Sequence, residues 1–152
     1  MDTIDLTSFT FTVLEEVVVR KILFTWLMGL SLVLSACGRG GAAKAIDVTM
    51  TDFQFIPNAF TVPAGQDITF HAVNNGAIVH NFVIMKLGQT AGDKFDDQDL
   101  PNIYWEVELQ PGASIDTTFT APTETGEYQV VCRTPGHLAA GMIAKLTVVA
   151  GE

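Results

Sequence analysis

The sequence predicts an all-β fold, an antiparallel Greek-key β-sandwich, for the part of the chain that follows a leader region. Apolar and polar residues alternate with a period of two from Ile46 onward, as in strands with one buried face. Turn-forming groups such as Asn-Asn-Gly, Pro-Gly and Thr-Gly separate the apolar runs at short intervals, which is typical of a sandwich. No helical period appears after residue 36. The 152 residues allow one domain.

The apolar runs predict the strands in order. The first covers residues 46–50, and an aromatic stretch with Phe53, Phe55 and Phe60 follows it. The remaining runs, after a turn at residues 62–65, are residues 68–72, 82–85, 104–109, 115–120, 128–132 and 142–149. The longest stretch without a strand pattern is residues 88–102, where four acidic residues indicate a solvated surface loop: Asp93, Asp96, Asp97 and Asp99.

The N-terminal region resembles a secretory signal. Arg20 and Lys21 precede an uncharged run at residues 22–34, as in a signal peptide. A membrane-spanning helix needs about 20 apolar residues, so this run is too short to be one. Leu-Ser-Ala-Cys at residues 34–37 then resembles the lipobox of bacterial lipoproteins, whose cysteine receives diacylglycerol.

We therefore expect a signal region at 1–36, a lipid on Cys37, a flexible tether at 37–44 and the folded domain at 45–152. The alternative is ordinary cleavage after Ala45, which would release a soluble protein. Glu15 and Glu16 do not fit a signal peptide. Residues 1–18 therefore either make the N-terminal region of the signal peptide unusually long or are not translated.

Charge limits the partners. From Cys37 onward the chain has 6 Lys and Arg against 13 Asp and Glu, a net charge of 6 − 13 = −7. A nucleic-acid-binding surface is basic, so we expect no nucleic-acid partner. An acidic domain instead favours a basic protein partner.

Four residues form a candidate metal site. Cys132, His137 and Met142 lie within eleven residues, and His80 lies 52 residues before Cys132. One thiolate, two imidazoles and a weak axial thioether are typical of a mononuclear electron-transfer copper site. Zinc does not favour a thioether, so the predicted cofactor is one Cu(I)/Cu(II) ion. A disulfide between Cys37 and Cys132 is the alternative, but each cysteine has a better local explanation.

Residues 45–150 resemble a cupredoxin, the blue-copper family of plastocyanin, azurin and auracyanin. The resemblance rests on His80-Asn81 at the start of a strand, Tyr128-x-x-Val131-Cys132 at the end of one, Phe55-x-Pro57 and Gly141-Met142. The spacing Cys-x4-His-x4-Met looks most like auracyanin.

The resemblance implies roles for further residues. Asn81 would tie the two ligand segments together, and the backbone N–H groups of Asn81 and Thr134 would point at the Cys132 sulfur. Azurin has a glycine before its first histidine ligand, which leaves a carbonyl free to approach copper. Val79 occupies that place here, so we expect four ligands rather than five.

The expected function is that of a monomeric one-electron carrier between redox proteins, held by Cys37 at an extracytoplasmic membrane surface, periplasmic or at the cell surface. The expected partner is basic, such as a c-type cytochrome or a membrane electron-transfer complex. Leu138, Ala139 and Ala140, with Gly76 and Ala77 beside them, would surround the exposed edge of His137 as an apolar docking patch.

Two alternatives stay open: a copper-delivery or accessory protein, and an electron-donor module of a copper enzyme. The chain has three histidines, two of which are candidate ligands. It cannot build the second, histidine-rich copper site of such enzymes alone, so we do not expect an enzyme. The third, His71, alternates with buried positions and is expected on the surface.

Overall fold

The computed structural model describes residues 41–151, which form two β-sheets around a shared core. The strands are β1 (Ala45–Thr51), β2 (Gln54–Ile56), β3 (Ala59–Pro63), β4 (Asp67–Asn74), β5 (His80–Met85), β6 (Ile103–Leu109), β7 (Ser114–Thr120), β8 (Gly126–Val131) and β9 (Ile143–Val149). One short 3₁₀ helix, Leu100–Asn102, precedes β6. The signal region and Cys37 lie outside the described residues.

Alternation along the strands builds the core. In β1, β4 and β9 every second side chain is buried, as expected when one face of each strand points inward. Phe82 lies at the centre, with its ring 4.9 Å from the ring of Phe70 and 5.4 Å from that of Phe55. Such tilted and edge-on aromatic pairs add stabilisation beyond the burial of their area. The predicted all-β sandwich is confirmed.

Strand direction differs from the prediction in two places. The sheets have the orders β2-β1-β4-β7 and β3-β9-β8-β5-β6. The pairs β1–β4 and β3–β9 are parallel, and the remaining pairs are antiparallel. A period of two shows which side chains share a face, but it does not show which way a neighbouring strand runs. The sandwich is therefore mixed rather than purely antiparallel.

The long loop at residues 86–102 covers the outer face of the five-stranded sheet. Ala91 packs in a second cluster with Val83, Met85 and Val131, and its N–H donates to the Gln129 side-chain oxygen at 2.8 Å. All six side chains of β5 are consequently buried.

The acidic groups of this loop divide into two pairs. Asp93 and Asp97 are exposed, whereas Asp96 and Asp99 are partly buried and accept hydrogen bonds from backbone N–H groups inside the loop. The segment is therefore solvated on one side only.

The second cluster corrects the prediction for Leu138. This side chain is only 5% exposed and packs with Val83 and Met85 under the loop. Burial of an apolar side chain is favourable, and the folded-back loop provides the apolar surface. Leu138 therefore belongs to the packed interior and not to an exposed docking patch.

The start of the domain lies slightly before the predicted boundary. The Ala43 N–H donates to the Thr61 carbonyl at 2.9 Å, and the Lys44 carbonyl accepts from the Thr69 N–H at 2.9 Å. These bonds attach two residues that the prediction placed in the tether to β3 and β4, so these two residues belong to the folded domain. Within residues 41–151, no helix has the length and apolar character that a membrane crossing requires.

Candidate metal centre

The four candidate ligands meet at one end of the five-stranded sheet. His80 is the first residue of β5, Cys132 follows β8 directly, and Met142 precedes β9 directly. Because β8 is antiparallel to both β5 and β9, its end lies beside their beginnings. His137 is in the loop between β8 and β9, which returns to the same edge.

The ligand atoms converge on one point. The Cys132 sulfur lies 3.8 Å from Nδ1 of His80 and 3.6 Å from Nδ1 of His137. The three ligand atoms all lie within 4.8 Å of one another, and all three side chains are buried. Cys132 is a free thiol. The convergence of a thiol and two imidazoles fits a thiolate-binding metal such as copper.

Met142 is the fourth candidate ligand. Its side chain is fully buried. Its carbonyl accepts a hydrogen bond from the Cys132 N–H at 3.2 Å, and its N–H donates to the His137 carbonyl at 2.9 Å. These bonds tie the thioether residue to two other ligand residues. A thiolate, two imidazoles and a weak thioether are the ligand set of electron-transfer copper.

The loop that carries the ligands needs glycine at two positions. Gly136 has a φ of 85° and Gly141 a φ of 91°, which is the left-handed region that glycine adopts without steric cost. The His137 N–H donates to the Thr134 carbonyl at 3.0 Å and the Gly141 N–H to the Leu138 carbonyl at 2.9 Å. Consecutive tight turns therefore hold His137 over the sheet edge.

Asn81 and Thr134 join the two ligand segments. The Asn81 N–H donates to the Cys132 sulfur at 3.5 Å, and the Thr134 hydroxyl lies 3.2 Å from the Asn81 side-chain oxygen. For Thr134, the implied backbone contact is not what the structure shows. Among residues 41–151, no hydrogen bond connects its N–H with the sulfur, and its hydroxyl makes the connection instead.

The same hydroxyl also engages the residue before the first histidine ligand. Thr134 Oγ1 donates to the Val79 carbonyl at 2.7 Å. This is the carbonyl whose counterpart in azurin approaches the metal. This carbonyl is thus hydrogen-bonded to the ligand loop, and the expectation of four ligands stays a prediction.

Two residues of the β1–β2 turn reach the site, and the sequence analysis missed both. Nε2 of His80 lies 3.2 Å from the Asp52 carboxylate. The Phe53 ring packs against the His137 ring, with centroids 5.0 Å apart and an interplanar angle of 57°. A large aromatic residue in the turn between two strands is the one sequence signal that could have indicated them.

Phe53 also alters the predicted exposed surface around His137. His137 is only 3% exposed, whereas Phe53 is 49% exposed. The aromatic ring therefore covers the edge of His137 that was expected to face solvent. Ala139 and Ala140 are exposed as predicted, and the exposed side chains of Ile78 and Ile143 add apolar area.

Burial affects the protonation of His137. Desolvation lowers the pKa of His137 below its ordinary value, the nearby His80 lowers it further, and Asp52 opposes the shift. Desolvation disfavours the charged imidazolium. The neutral imidazole, which is the form that binds a metal, is therefore favoured at neutral pH.

His71 takes no part in the centre. Its Nδ1 lies 2.7 Å from the Asp116 carboxylate, and its side chain is 41% exposed. This agrees with the expected surface position.

Comparison with known proteins settles the family. The model of copper binding proteins of the plastocyanin/azurin family matches residues 42–149. The chain belongs to this family. It is thus a cupredoxin, and its cofactor is one copper ion. His80, Cys132 and His137, which the structure brings together, and Met142 are the candidate ligand residues.

Individual relatives are also copper proteins by name. The chain is 36% identical over 120 residues to the copper-resistant cuproprotein CopI of Rubrivivax gelatinosus, covering 72% of this chain and 70% of that protein. It is 29% identical over 151 residues to auracyanin-A of Chloroflexus aurantiacus, covering 80% and 93% respectively. Auracyanin from Roseiflexus castenholzii has a similar structure, with a TM-score of 0.61 and 33% identity over 72% of this chain and 99% of that one.

Proposed function

We propose that this cupredoxin is a one-electron carrier between protein partners. The observation that carries the proposal is the closed, buried cluster of Cys132, His80 and His137 on hydrogen-bonded strand ends. Copper bound there supplies a Cu(I)/Cu(II) couple. The packed strands hold the ligand side chains in place, so a change of charge requires little movement of the protein. Four protein ligands leave no open position for a substrate, which catalytic metals require.

Electrons would enter and leave through the surface around Phe53. We define the docking rim as the exposed residues Phe53, Ile78, Ala139, Ala140 and Ile143. A groove of about 410 Å³ lies between Phe53, Ala140 and Ile143. Exposed apolar patches of this kind often mark sites of protein contact, and small ones suit brief redox encounters.

Rates of electron transfer test the rim. The Ile143→Asp variant should slow bimolecular electron transfer with a basic c-type cytochrome at every salt concentration, because it places a charge in the apolar contact. Leu100→Asp is the matched control, since Leu100 is also exposed but precedes β6 at the end remote from His80. Equal slowing by both variants would contradict the proposed docking rim.

The acidic charge contributes at longer range. Neutralising the exposed Asp93 and Asp97 should slow association at low salt only, because steering acts on the association rate and is screened over roughly 8 Å at physiological ionic strength. Stopped-flow rates across an ionic-strength series measure this effect. A wild-type rate that rises with added salt would indicate an acidic partner and contradict the proposed cytochrome or membrane complex.

We also propose that a lipid on Cys37 holds the domain at an extracytoplasmic membrane surface. The support is the uncharged run at residues 22–34, which ends at Leu-Ser-Ala-Cys. Wild-type protein should partition into detergent, whereas Cys37→Ser should not mature normally. Mass spectrometry of the mature N-terminus decides between this and release: an unmodified N-terminus at Ile46 would contradict lipidation.

A second candidate function is copper resistance, by binding or delivery of copper. The identity to CopI of Rubrivivax gelatinosus favours it. Retention of copper through repeated reduction and oxidation supports the carrier, whereas loss of copper on reduction supports delivery. Growth of a deletion strain on added copper separates the two roles in the cell.

A further inference from the structure

Asp52 approaches the metal centre from a part of the chain that contains no ligand. It lies with Phe53 in the two-residue turn between β1 and β2, where Thr51 pairs with Gln54. Its Oδ1 lies 3.2 Å from Nε2 of His80 and accepts from the Ala77 N–H at 3.0 Å. One carboxylate oxygen thus contacts both the first histidine ligand and the loop that leads to it.

The geometry gives this hydrogen bond a direction. Nδ1 of His80 faces the Cys132 sulfur at 3.8 Å, so Nε2 is the nitrogen that faces Asp52. An ionised carboxylate only accepts hydrogen bonds. The Nε2–H of His80 therefore donates to Asp52, and the lone pair of Nδ1, on the side of the Cys132 sulfur, would be free to bind copper.

The backbone closes over this pair. A Cβ on Gly76 would clash with Nε2 of His80 and would lie only 2.6 Å from Asp52 Oδ1. Gly76 is held there because its N–H donates to the buried Asn74 side chain at 2.8 Å. The His80 side chain is fully buried, whereas that of Asp52 is 42% exposed. The hydrogen bond thus forms at the boundary between the interior and solvent.

The turn itself has an unusual backbone. Phe53 has a φ of 69°, which costs conformational free energy for a bulky residue. Such a conformation persists only where surrounding contacts determine it. Here the contacts are those of Phe53 with His137 and of Asp52 with His80.

We propose that Asp52 is a positioning residue of the copper centre, whose carboxylate orients His80 through Nε2–H and lowers the reduction potential of the bound copper. A carboxylate partner fixes the tautomer of a histidine ligand and raises its basicity. A more basic ligand favours Cu(II) over Cu(I), which lowers the potential. The claim about the potential rests on the proposed redox function, but the claim about the tautomer rests on the copper site alone.

Two substitutions at this position separate charge from geometry. Asp52→Asn keeps an oxygen that can accept from Nε2–H and removes the negative charge, whereas Asp52→Ala removes both. Asp116→Asn is the matched control, because Asp116 faces His71, which lies outside the centre. Cu(II) affinity, Cu(I) affinity and potential are measured on the mature copper-loaded protein.

Asp52→Ala should lower the Cu(II) affinity by about 10–100-fold, the usual cost of losing an outer partner of a metal-bound histidine. If the fold-loss of Cu(I) affinity is ten times smaller than the fold-loss of Cu(II) affinity, the potential rises by about 59 mV. Asp52→Asn should raise the potential with a smaller loss of affinity, and Asp116→Asn should change neither. An unchanged or lower potential in Asp52→Asn would overturn the proposal.

The proton itself gives a second test, which requires no variant to fold. In the Cu(I)-loaded wild-type protein, NMR should show a slowly exchanging proton on Nε2 of His80. A rapidly exchanging proton there would overturn the positioning role, whereas failure of the wild-type protein to cycle between Cu(II) and Cu(I) would contradict the proposed electron carrier. The two failures are therefore distinguishable.

Discussion

Two histidines each face an aspartate, and the comparison between them shows what makes one pair part of a metal centre. His71 and Asp116 lie 2.7 Å apart as cross-strand partners on β4 and β7. His80 and Asp52 lie 3.2 Å apart at the strand ends. The longer contact belongs to the buried histidine. The two pairs differ in the burial of the histidine and in the group that faces its second ring nitrogen. The distance to the carboxylate does not explain the difference.

The surroundings explain the difference. The Cys132 sulfur faces Nδ1 of His80, so that side chain holds a thiol on one side and a carboxylate on the other. His71 uses its Nδ1 for Asp116, and its side chain is partly exposed. Exposed ion pairs contribute about 0–1 kcal/mol to stability. The inner pair, His80 and Asp52, therefore serves the metal centre. The outer pair, His71 and Asp116, is a minor surface contact.

The largest expected effect separates the two histidines. His80→Ala should reduce the copper affinity by more than the about 10–100-fold that loss of an outer partner typically costs, because it removes a ligand. His71→Ala should leave the affinity unchanged. Titration of the metal-free protein with copper measures both. An equal loss of copper affinity in the two variants would contradict the assignment of His80, and not His71, to the metal centre.

A smaller effect tests the packing around the inner pair. Gly76→Ala should lower the free energy of unfolding by about 1–3 kcal/mol, the usual cost of overpacking, because its Cβ would clash with His80. Gly92→Ala is the control, since no atom lies within 4 Å of its Cβ position, and a change of at most about 0.5 kcal/mol is expected. Urea unfolding measures both variants, and similar values would show that the backbone does not seal the site.

The smallest effect concerns the outer pair. Asp116→Ala should destabilise the protein by at most about 1 kcal/mol at low salt and by less at high salt, as for other exposed ion pairs. Urea unfolding at two ionic strengths tests this. A larger, salt-independent loss would mean that the surface pair is structurally important after all.

The strands and the donor set could be predicted because each has a local signal. Alternation shows the buried face, and the order of Cys132, His137 and Met142 after His80 is chemically distinctive. Asp52 has no such signal, since its role depends on a turn that brings it to a histidine 28 residues away.

The prediction that Leu138 is exposed was wrong because of long-range packing. It follows a ligand directly in an exposed-looking loop, but residues 86–102 fold back over the outer sheet face and bury it. The continuous apolar run Phe82-Val83-Ile84-Met85 was a usable signal, because a strand without alternation is covered on both faces. Parallel pairing of β1 with β4 had no signal in the alternation at all.

The most direct test of the central claim, a copper redox site built on Cys132, is an optical spectrum of the copper-loaded protein before and after ascorbate. The oxidised wild-type protein should be intensely blue or green, from charge transfer between the Cys132 thiolate and Cu(II), and colourless after reduction. Cys132→Ser should lack the colour in both states. A colourless Cu(II) wild-type protein, or full colour in Cys132→Ser, would contradict the account.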